Sequence, residues 1–199
     1  MIENHGYKLE HCRKNCKKAA KDWSELNLDL ESTLNELELK PTLEEKFDKV
    51  HYHHIPKVVI AGCPNGCSQP QIRDIGIVGY LTPKLTDNPC VECLLCVDAC
   101  LENALAWANN EIVLESSKCV SCGECIRVCP TERIGAAESG WTIHLGGRLG
   151  RHPKFAKVVG KEQTEEAVIK KIKEVLIDYI HNGKPEERLS QFLERYTDQ

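Results

Sequence analysis

The sequence predicts an α+β fold in which one body, residues 1–85 with 136–199, is interrupted by a small cysteine-rich insert at residues 86–135. Three observations predict it. Twelve cysteines fall among 199 residues, and those at 119, 122, 125 and 129 stand 29 positions after those at 90, 93, 96 and 100, an internal duplication. Outside that duplication, two short apolar runs, KVVIA and IGIV, have the β-branched character of buried strands. Towards the C-terminus, Val168, Ile172, Leu176 and Tyr179/Ile180 form one apolar stripe with Lys170, Lys171 and Lys173 mostly off it, the mark of an amphipathic helix.

In chain order, residues 12–25 and 28–50 look helical. The second stretch breaks near Lys40-Pro41 and restarts at a capping box of Thr42 with Glu45. Lys57 to Ala61 is a strand leading into Gly62-Cys63, and Ile75 to Val78 is another. Trp141 to Leu145 alternates as a strand, followed by a glycine-rich basic loop, GGRLGRHPK. The amphipathic helix stops at Asn182-Gly183, and a short helix follows Pro185.

Composition narrows the function classes. Hydrophobic residues make up 41% and charged residues 28%, ordinary globular proportions. No basic footprint points to nucleic acid: the formal charge is −4, and the insert carries 8 acids against 3 bases. No apolar run approaches membrane-spanning length and no leader-like start is present, so the expected location is the cytoplasm. In that reducing compartment, twelve cysteines read as metal or cluster ligands before disulfides.

The insert repeats the spacing C-x2-C-x2-C-x3-C, in NPCVECLLCVDACLENAL and SKCVSCGECIRVCPTERI. Three thiolates from one tight loop suit three corners of a cubane, with the fourth supplied from a distance. Pairs of C-x2-C also bind zinc, but a third cysteine at x2 and a fourth at x3 are poorly placed for two separate tetrahedral sites. This segment resembles bacterial two-cluster ferredoxins, in which the fourth ligand belongs to the other motif. Cys90, Cys93, Cys96 and Cys129 are therefore assigned to one [4Fe–4S] cluster, and Cys119, Cys122, Cys125 and Cys100 to a second. Pro130 follows Cys129 as the bacterial pattern expects, whereas Leu101 follows Cys100.

The remaining four cysteines form two x3 pairs, Cys12/Cys16 and Cys63/Cys67. Spacing alone leaves zinc, a cubane and unpaired buried thiols open. The string VVIAGCPNGCSQPQIRDIGIVGY is similar to the cluster half-motif of siroheme-dependent sulfite and nitrite reductases. HLGGRLGRHPK (144–154) is similar to their siroheme-facing segment, and NGKPEERLSQFLERY (182–196) to their C-terminal ending. A ferredoxin unit inserted after the CPNGC strand resembles the dissimilatory and anaerobic sulfite reductase subunits. The resemblance implies a third [4Fe–4S] cluster on Cys12, Cys16, Cys63 and Cys67, with Cys67 bridging to a siroheme iron. It implies further that Arg148, Arg151, Lys154 and the N–H groups of Gly146, Gly147 and Gly150 cradle siroheme carboxylates, and that Lys57, with Arg73, contacts a small oxyanion, sulfite or nitrite. Arg73 alternatively pairs with a carboxylate. His53 and His54 are proton donors near Lys57 or parts of an ordinary polar turn.

Three departures from the family pattern shape the expectation. The first pair is C-x3-C where the family has C-x5-C; the chain begins almost at its first cysteine; and Lys57 stands without a second lysine, Ile55 taking that place. The expected function is a reductase-family redox protein relaying electrons through three clusters to siroheme. A homodimer or a heteromeric subunit is expected to complete the site, alongside a redox partner protein. The alternative is a siroheme-free polyferredoxin-type electron-transfer subunit; in a third reading only the insert binds clusters and the body is a docking module.

Overall fold

A computed structural model describes residues 5–198. The body is a five-stranded sheet in the order β1-β2-β3-β6-β7, where β1 is Lys8–His11, β2 Lys57–Ala61, β3 Ile75–Leu85, β6 Ile134–Leu145 and β7 Lys157–Glu162. The β1–β2 and β2–β3 pairs are parallel, while β3–β6 and β6–β7 are antiparallel. Helices α1 (Ser24–Glu36), α5 (Glu165–Asn182) and α6 (Leu189–Tyr196) contribute to the main apolar core; α2 is Leu39–Lys46.

That core follows from two periodicities meeting. Leu26, Leu30 and Leu34 of α1 and Val168, Ile172, Val175 and Tyr179 of α5 recur at helical spacing, while Val58/Ile60, Ile75/Ile77 and Trp141/Ile143/Leu145 recur at strand spacing. Truncating any one of these fully buried aliphatic side chains to alanine costs about 2–5 kcal/mol. Thr164 caps α5 by accepting from the Ala167 N–H at 3.3 Å, and the helix ends at Asn182, as the stripe and the Asn-Gly stop predict.

Several local expectations are corrected. Residues 12–23 are turns, and helix begins only at Ser24; the Asn15 backbone lies at φ +53°, which a helix cannot contain. The break between α1 and α2 falls at Glu38, in the left-handed region at φ +45°. Pro41 sits within the first turn of α2, where a missing N–H costs nothing, so Thr42 and Glu45 lie inside that helix and form no cap. Strands β3 and β6 are 11 and 12 residues long, far beyond the stretches 75–78 and 141–145. Gly79, Pro83 and Gly140 interrupt their apolar pattern, and mutual pairing from Ile75↔Leu145 to Leu85↔Ile134 supplies the order. The short strands β1 and β7 carried no periodic signal.

The segment joining β3 to β6 forms a small unit with the hairpin β4 (Leu105–Ala108) and β5 (Glu111–Leu114) and the short helices α3 (Leu95–Asp98) and α4 (Glu124–Val128). Its own core is Cys96, Leu105, Ile112, Cys125 and Ile134. It is pinned to β3 by the Leu81 N–H donating to the Ser121 carbonyl at 2.8 Å. Among the described residues, no helix is long and apolar enough to cross a membrane.

Candidate functional site

Cys12 and Cys63 follow the ends of two adjacent parallel strands, β1 and β2, so both emerge at one edge of the sheet. The Cys12 N–H continues the ladder to the Ile60 carbonyl at 3.0 Å, and the Gly62 N–H donates to Cys12 Sγ at 3.3 Å. The Gly62 carbonyl accepts the Ala20 and Lys21 N–H groups at 2.8 and 3.0 Å. A Cβ at Gly62 would stand 2.9 Å from the Lys21 carbonyl, so only glycine lets the turn after Cys16 close over the turn before Cys63. Burial pushes the Cys63 thiol up, and Cys12, Cys67 and Cys16 add to the shift. Strand pairing thus sets Cys12 beside the turn that carries Cys63, with Cys63 buried and Cys67 exposed.

The other eight separate into two groups. Cys90, Cys93, Cys96 and Cys129 line one cleft. Cys100, Cys119, Cys122 and Cys125 line a cavity of about 280 Å³ whose wall also contains Lys18 and Asn65 of the body. Each fourth member comes from the opposite repeat. Burial, then Cys122, Cys119 and Cys100, pushes the Cys125 thiol up to about 12; burial, then Cys129, raises Cys96. Cys129 goes the other way: burial opposes ionisation, but N–H donors including Ile134, at 3.4 Å from Sγ, leave its thiol lowered.

Backbone donors to sulfur recur at Glu92 to Cys90 (3.4 Å), Ser121 to Cys119 (3.4 Å) and Ala104 to Cys100 (3.2 Å). Such donors stabilise thiolate and orient it. Among the described residues, no three His, Cys, Asp or Glu side chains converge tightly enough to share one metal ion. The insert cysteines ring cavities rather than meeting at a point, a donor set that suits a thiolate-ligated polynuclear cluster better than a tetrahedral ion.

Three of the cations singled out in the sequence line a further cavity. Lys57 opens β2 and Cys63 stands two residues beyond its end, so the full strand, about 13 Å long, lies between them. Lys57, Arg73 and Arg148 line a cavity of about 150 Å³ together with His53, Asp74 and Arg188. Each of the three already has a partner: Lys57 Nζ sits 4.6 Å from the Tyr52 ring centroid, Arg73 Nε is 3.3 Å from Glu10 Oε2, and Arg148 Nη1 donates to Glu194 Oε2 at 2.7 Å. Lys154 Nζ holds the other Glu194 oxygen at 2.6 Å. Hydrogen bonds from Lys154 and Arg148 hold the Glu194 carboxyl down at about 2.

Arg151 is exposed. The Gly146 N–H donates to the Asp74 carbonyl at 2.8 Å and is engaged within the fold. Gly147 packs so tightly that a Cβ would stand 2.6 Å from the Gln71 carbonyl, and Gly150, at φ +110°, faces open space. His54 stacks on Phe47 at 3.9 Å, while His53 faces the cavity. Sequence reasoning missed Arg188, Asp74 and Glu194. Asp74 accepts the Lys57 N–H at 2.8 Å through Oδ2, and burial pushes its carboxyl up to about 6. The string NGKPEERLSQFLERY contained Arg188 and Glu194, but nothing in its pattern marked them out from solvated charges.

Comparison with known proteins adds to this geometry. Residues 7–197 match the family model described as the nitrite and sulphite reductase 4Fe-4S domain. The coenzyme F420-dependent sulfite reductase of Methanocaldococcus jannaschii is 34% identical over 79% of this chain and 26% of its own. One of the anaerobic sulfite reductase subunits of Salmonella typhimurium is 35% identical over 68% of this chain and 41% of its own. The dissimilatory-type sulfite reductase beta subunit of Archaeoglobus fulgidus is 28% identical over 79% and 48%. The chain thus spans between about a quarter and a half of these relatives' lengths. Among solved structures, dissimilatory sulfite reductase I superposes with a TM-score of 0.57 at 18% identity, covering 94% of this chain and 49% of that one. The Mycobacterium tuberculosis NirA protein gives 0.52 at 19%, covering 94% and 25%.

Proposed function

We propose, from the premise that this chain belongs to the nitrite and sulphite reductase 4Fe-4S domain family, that it is an iron–sulfur electron-relay protein serving sulfite or nitrite reduction. The observation that carries the reading is that eight cysteines line two cavities, four to each, with backbone N–H groups aimed at their sulfurs, while Cys12 and Cys63 follow the ends of adjacent strands. Cys90, Cys93, Cys96 and Cys129 would hold one [4Fe–4S] cluster, Cys100, Cys119, Cys122 and Cys125 a second, and Cys12, Cys16, Cys63 and Cys67 a third. Residues 86–135 then form a two-cluster ferredoxin-like insert in a body of residues 1–85 and 136–199. Clusters of this kind supply one-electron transfer at potentials tuned by sulfur hydrogen bonds and solvent exposure.

The residues prepare these sites in two ways. Buried Cys63, Cys96 and Cys125 resist ionisation, so a bound cation must displace their protons. The N–H donors at Gly62, Glu92, Ala104, Ser121 and Ile134 fix sulfur orientation before anything binds. Exposed Cys90 and Cys93, flanked by exposed Val91 and Leu95, make the insert the face for a redox partner protein.

Siroheme is the finer part of the proposal. Exposed Cys67 would be the cysteine nearest a macrocycle, and Gly147, Arg148, Gly150, Arg151 and Lys154 would meet its carboxylates, the Gly146 N–H being held by the Asp74 carbonyl, with Lys57 and Arg73 steering the oxyanion. A homodimeric or heteromeric partner would complete that wall. A second reading, a siroheme-free electron-transfer subunit, is favoured by one observation: Arg148 and Lys154 both spend their charge on Glu194. The absorption spectrum of anaerobically purified protein tests the choice. A macrocycle band in the red with sulfite-dependent oxidation of a reduced dye supports siroheme; an iron–sulfur shoulder alone supports the relay subunit.

A further inference from the structure

Val58 pairs with Ile75 in the parallel ladder of β2 and β3. The residues before them, Lys57 and Asp74, therefore stand side by side, and the Lys57 N–H donates to Asp74 Oδ2 at 2.8 Å. The Gly146 N–H donates to the Asp74 carbonyl at 2.8 Å, which brings the glycine-rich loop against the same corner. The cavity of about 150 Å³ at this corner is lined by four cations, Lys57, Arg73, Arg148 and Arg188, with His53; Asp74 is its one acid. Such a volume has room for several waters, and so for a small oxyanion.

Among the described residues, Asp74 forms an ion pair with none of these cations. Arg73 turns to Glu10 and Arg148 to Glu194, while Lys57 lies over the Tyr52 ring. Burial therefore governs the Asp74 carboxyl, pushing it up to about 6 against the pull of the Lys57 N–H, the Lys57 charge and Arg73. Two other titratable groups face it. His53, in the turn before β2, is held down by burial and then by Arg188, His51 and Lys57; Tyr179 of α5 is pushed up by burial and then by Asp74 and Glu187. An anion seated among the cations shares this small volume with Asp74. Like charges so close disfavour ionisation, so the carboxyl must take a proton for the anion to enter, and its O–H then becomes a donor to an oxyanion oxygen.

Resting on the reading above that this cavity takes a small oxyanion, we infer that Asp74 is the group that brings a proton in with the ion. One anion enters, one proton passes from solvent to Asp74, and no other bond forms or breaks. Neutral Asp74 then holds the anion by a hydrogen bond that ionised Asp74 cannot make. Reduction of sulfite or nitrite consumes protons, and this carboxyl holds one beside the bound ion.

The test is calorimetric titration of the anaerobic, oxidised full chain with sulfate, an oxyanion whose own charge is fixed across the neutral range, in buffers of different ionisation enthalpy. In wild type the sulfate Kd should rise about tenfold from about pH 7 to about pH 8, with about one proton taken up per sulfate. His53→Gln should keep both. Asp74→Asn, which retains an acceptor for the Lys57 N–H, should show less than about a twofold change over that range and no proton uptake. Lys57→Gln should weaken binding at every pH, which locates sulfate in this cavity. Binding independent of pH in wild type, or a slope lost in His53→Gln and kept in Asp74→Asn, overturns the inference and leaves the oxyanion cavity standing. No sulfate binding at any pH, or binding indifferent to Lys57→Gln, removes the oxyanion cavity and the inference with it. Where Asp74→Asn fails to fold, proton uptake kept in His53→Gln supports Asp74 and uptake lost there overturns it.

Discussion

Glu92 and Ser121 stand 29 residues apart and adopt the same left-handed backbone, φ +55° and +58°, each directing its N–H to the cysteine two residues before it. The correspondence continues at Leu94 and Gly123, φ +58° and +71°, and at Asn103 and Glu132, φ +51° and +56°. The duplicated spacing is therefore a duplicated backbone path, one that side-chain-bearing residues adopt at a cost. Glu92→Gly should leave the insert's stability within about 1 kcal/mol of wild type, because relief of strain offsets lost chain entropy. Glu92→Val should lower it by about 1–3 kcal/mol. Urea unfolding followed by cluster absorbance checks both.

The Arg148–Glu194–Lys154 group ties the glycine-rich loop to α6. Its partners are about a third exposed, so we expect Glu194→Gln to cost only about 1 kcal/mol. Because the folded carboxyl is held down at about 2, its contribution is complete above the ordinary glutamate range and disappears as pH falls towards 2. Hydrogen exchange of residues 146–156 should rise in the variant. No change there would place the loop's order elsewhere.

Asp74 has the opposite sign. Its carboxyl is pushed from 3.8 to about 6 by burial, so the folded state holds a proton that the unfolded state releases. Stability from this group is greatest below about pH 4, falls as pH rises through about 6, and is level above, a change of about 3 kcal/mol. Asp74→Asn keeps an acceptor for the Lys57 N–H and should flatten that segment of the stability–pH curve. A variant curve parallel to wild type refutes the assignment.

At Gly147 a Cβ would stand 2.6, 2.7 and 2.9 Å from the Gln71 carbonyl, the Arg73 carbonyl and the Arg73 nitrogen. All three are backbone atoms and cannot swing aside. Gly147→Ala should destabilise the body by about 1–3 kcal/mol, while Gly150→Ala, which meets nothing within 4 Å, is strained only through its φ of +110° and should cost less. Thermal denaturation of the pair gives the order.

The strongest local signals carried through to the structure. The Val168–Ile172–Leu176 stripe and Thr164 specify α5 because face and cap agree. Residues 12–23 misled because lysine and alanine favour helix in isolation, whereas the backbone follows the Cys16 and Gly62 turns. Most of β3 was hidden since Gly79 and Pro83 break its alternation and pairing with β6 supplies the order. In the insert, three cysteines of each repeat line one cavity because a tight loop leaves little freedom, while the fourth is brought in from the other repeat by the fold. The basic pocket was only half legible: Lys57, Arg73 and Arg148 stood out, but Arg188 joins them from a helix far along the chain, and Asp74, beside Arg73, is engaged only through the Lys57 N–H that strand pairing brings to it.

The central claim is that three cysteine quartets hold three [4Fe–4S] clusters. Iron and acid-labile sulfide determination on anaerobically purified full chain, with Cys67→Ser alongside, tests it most directly. The account predicts about twelve irons and twelve sulfides per chain, falling to about eight of each in the variant with the insert's EPR signals intact. About eight irons in wild type, or zinc without sulfide, would contradict it.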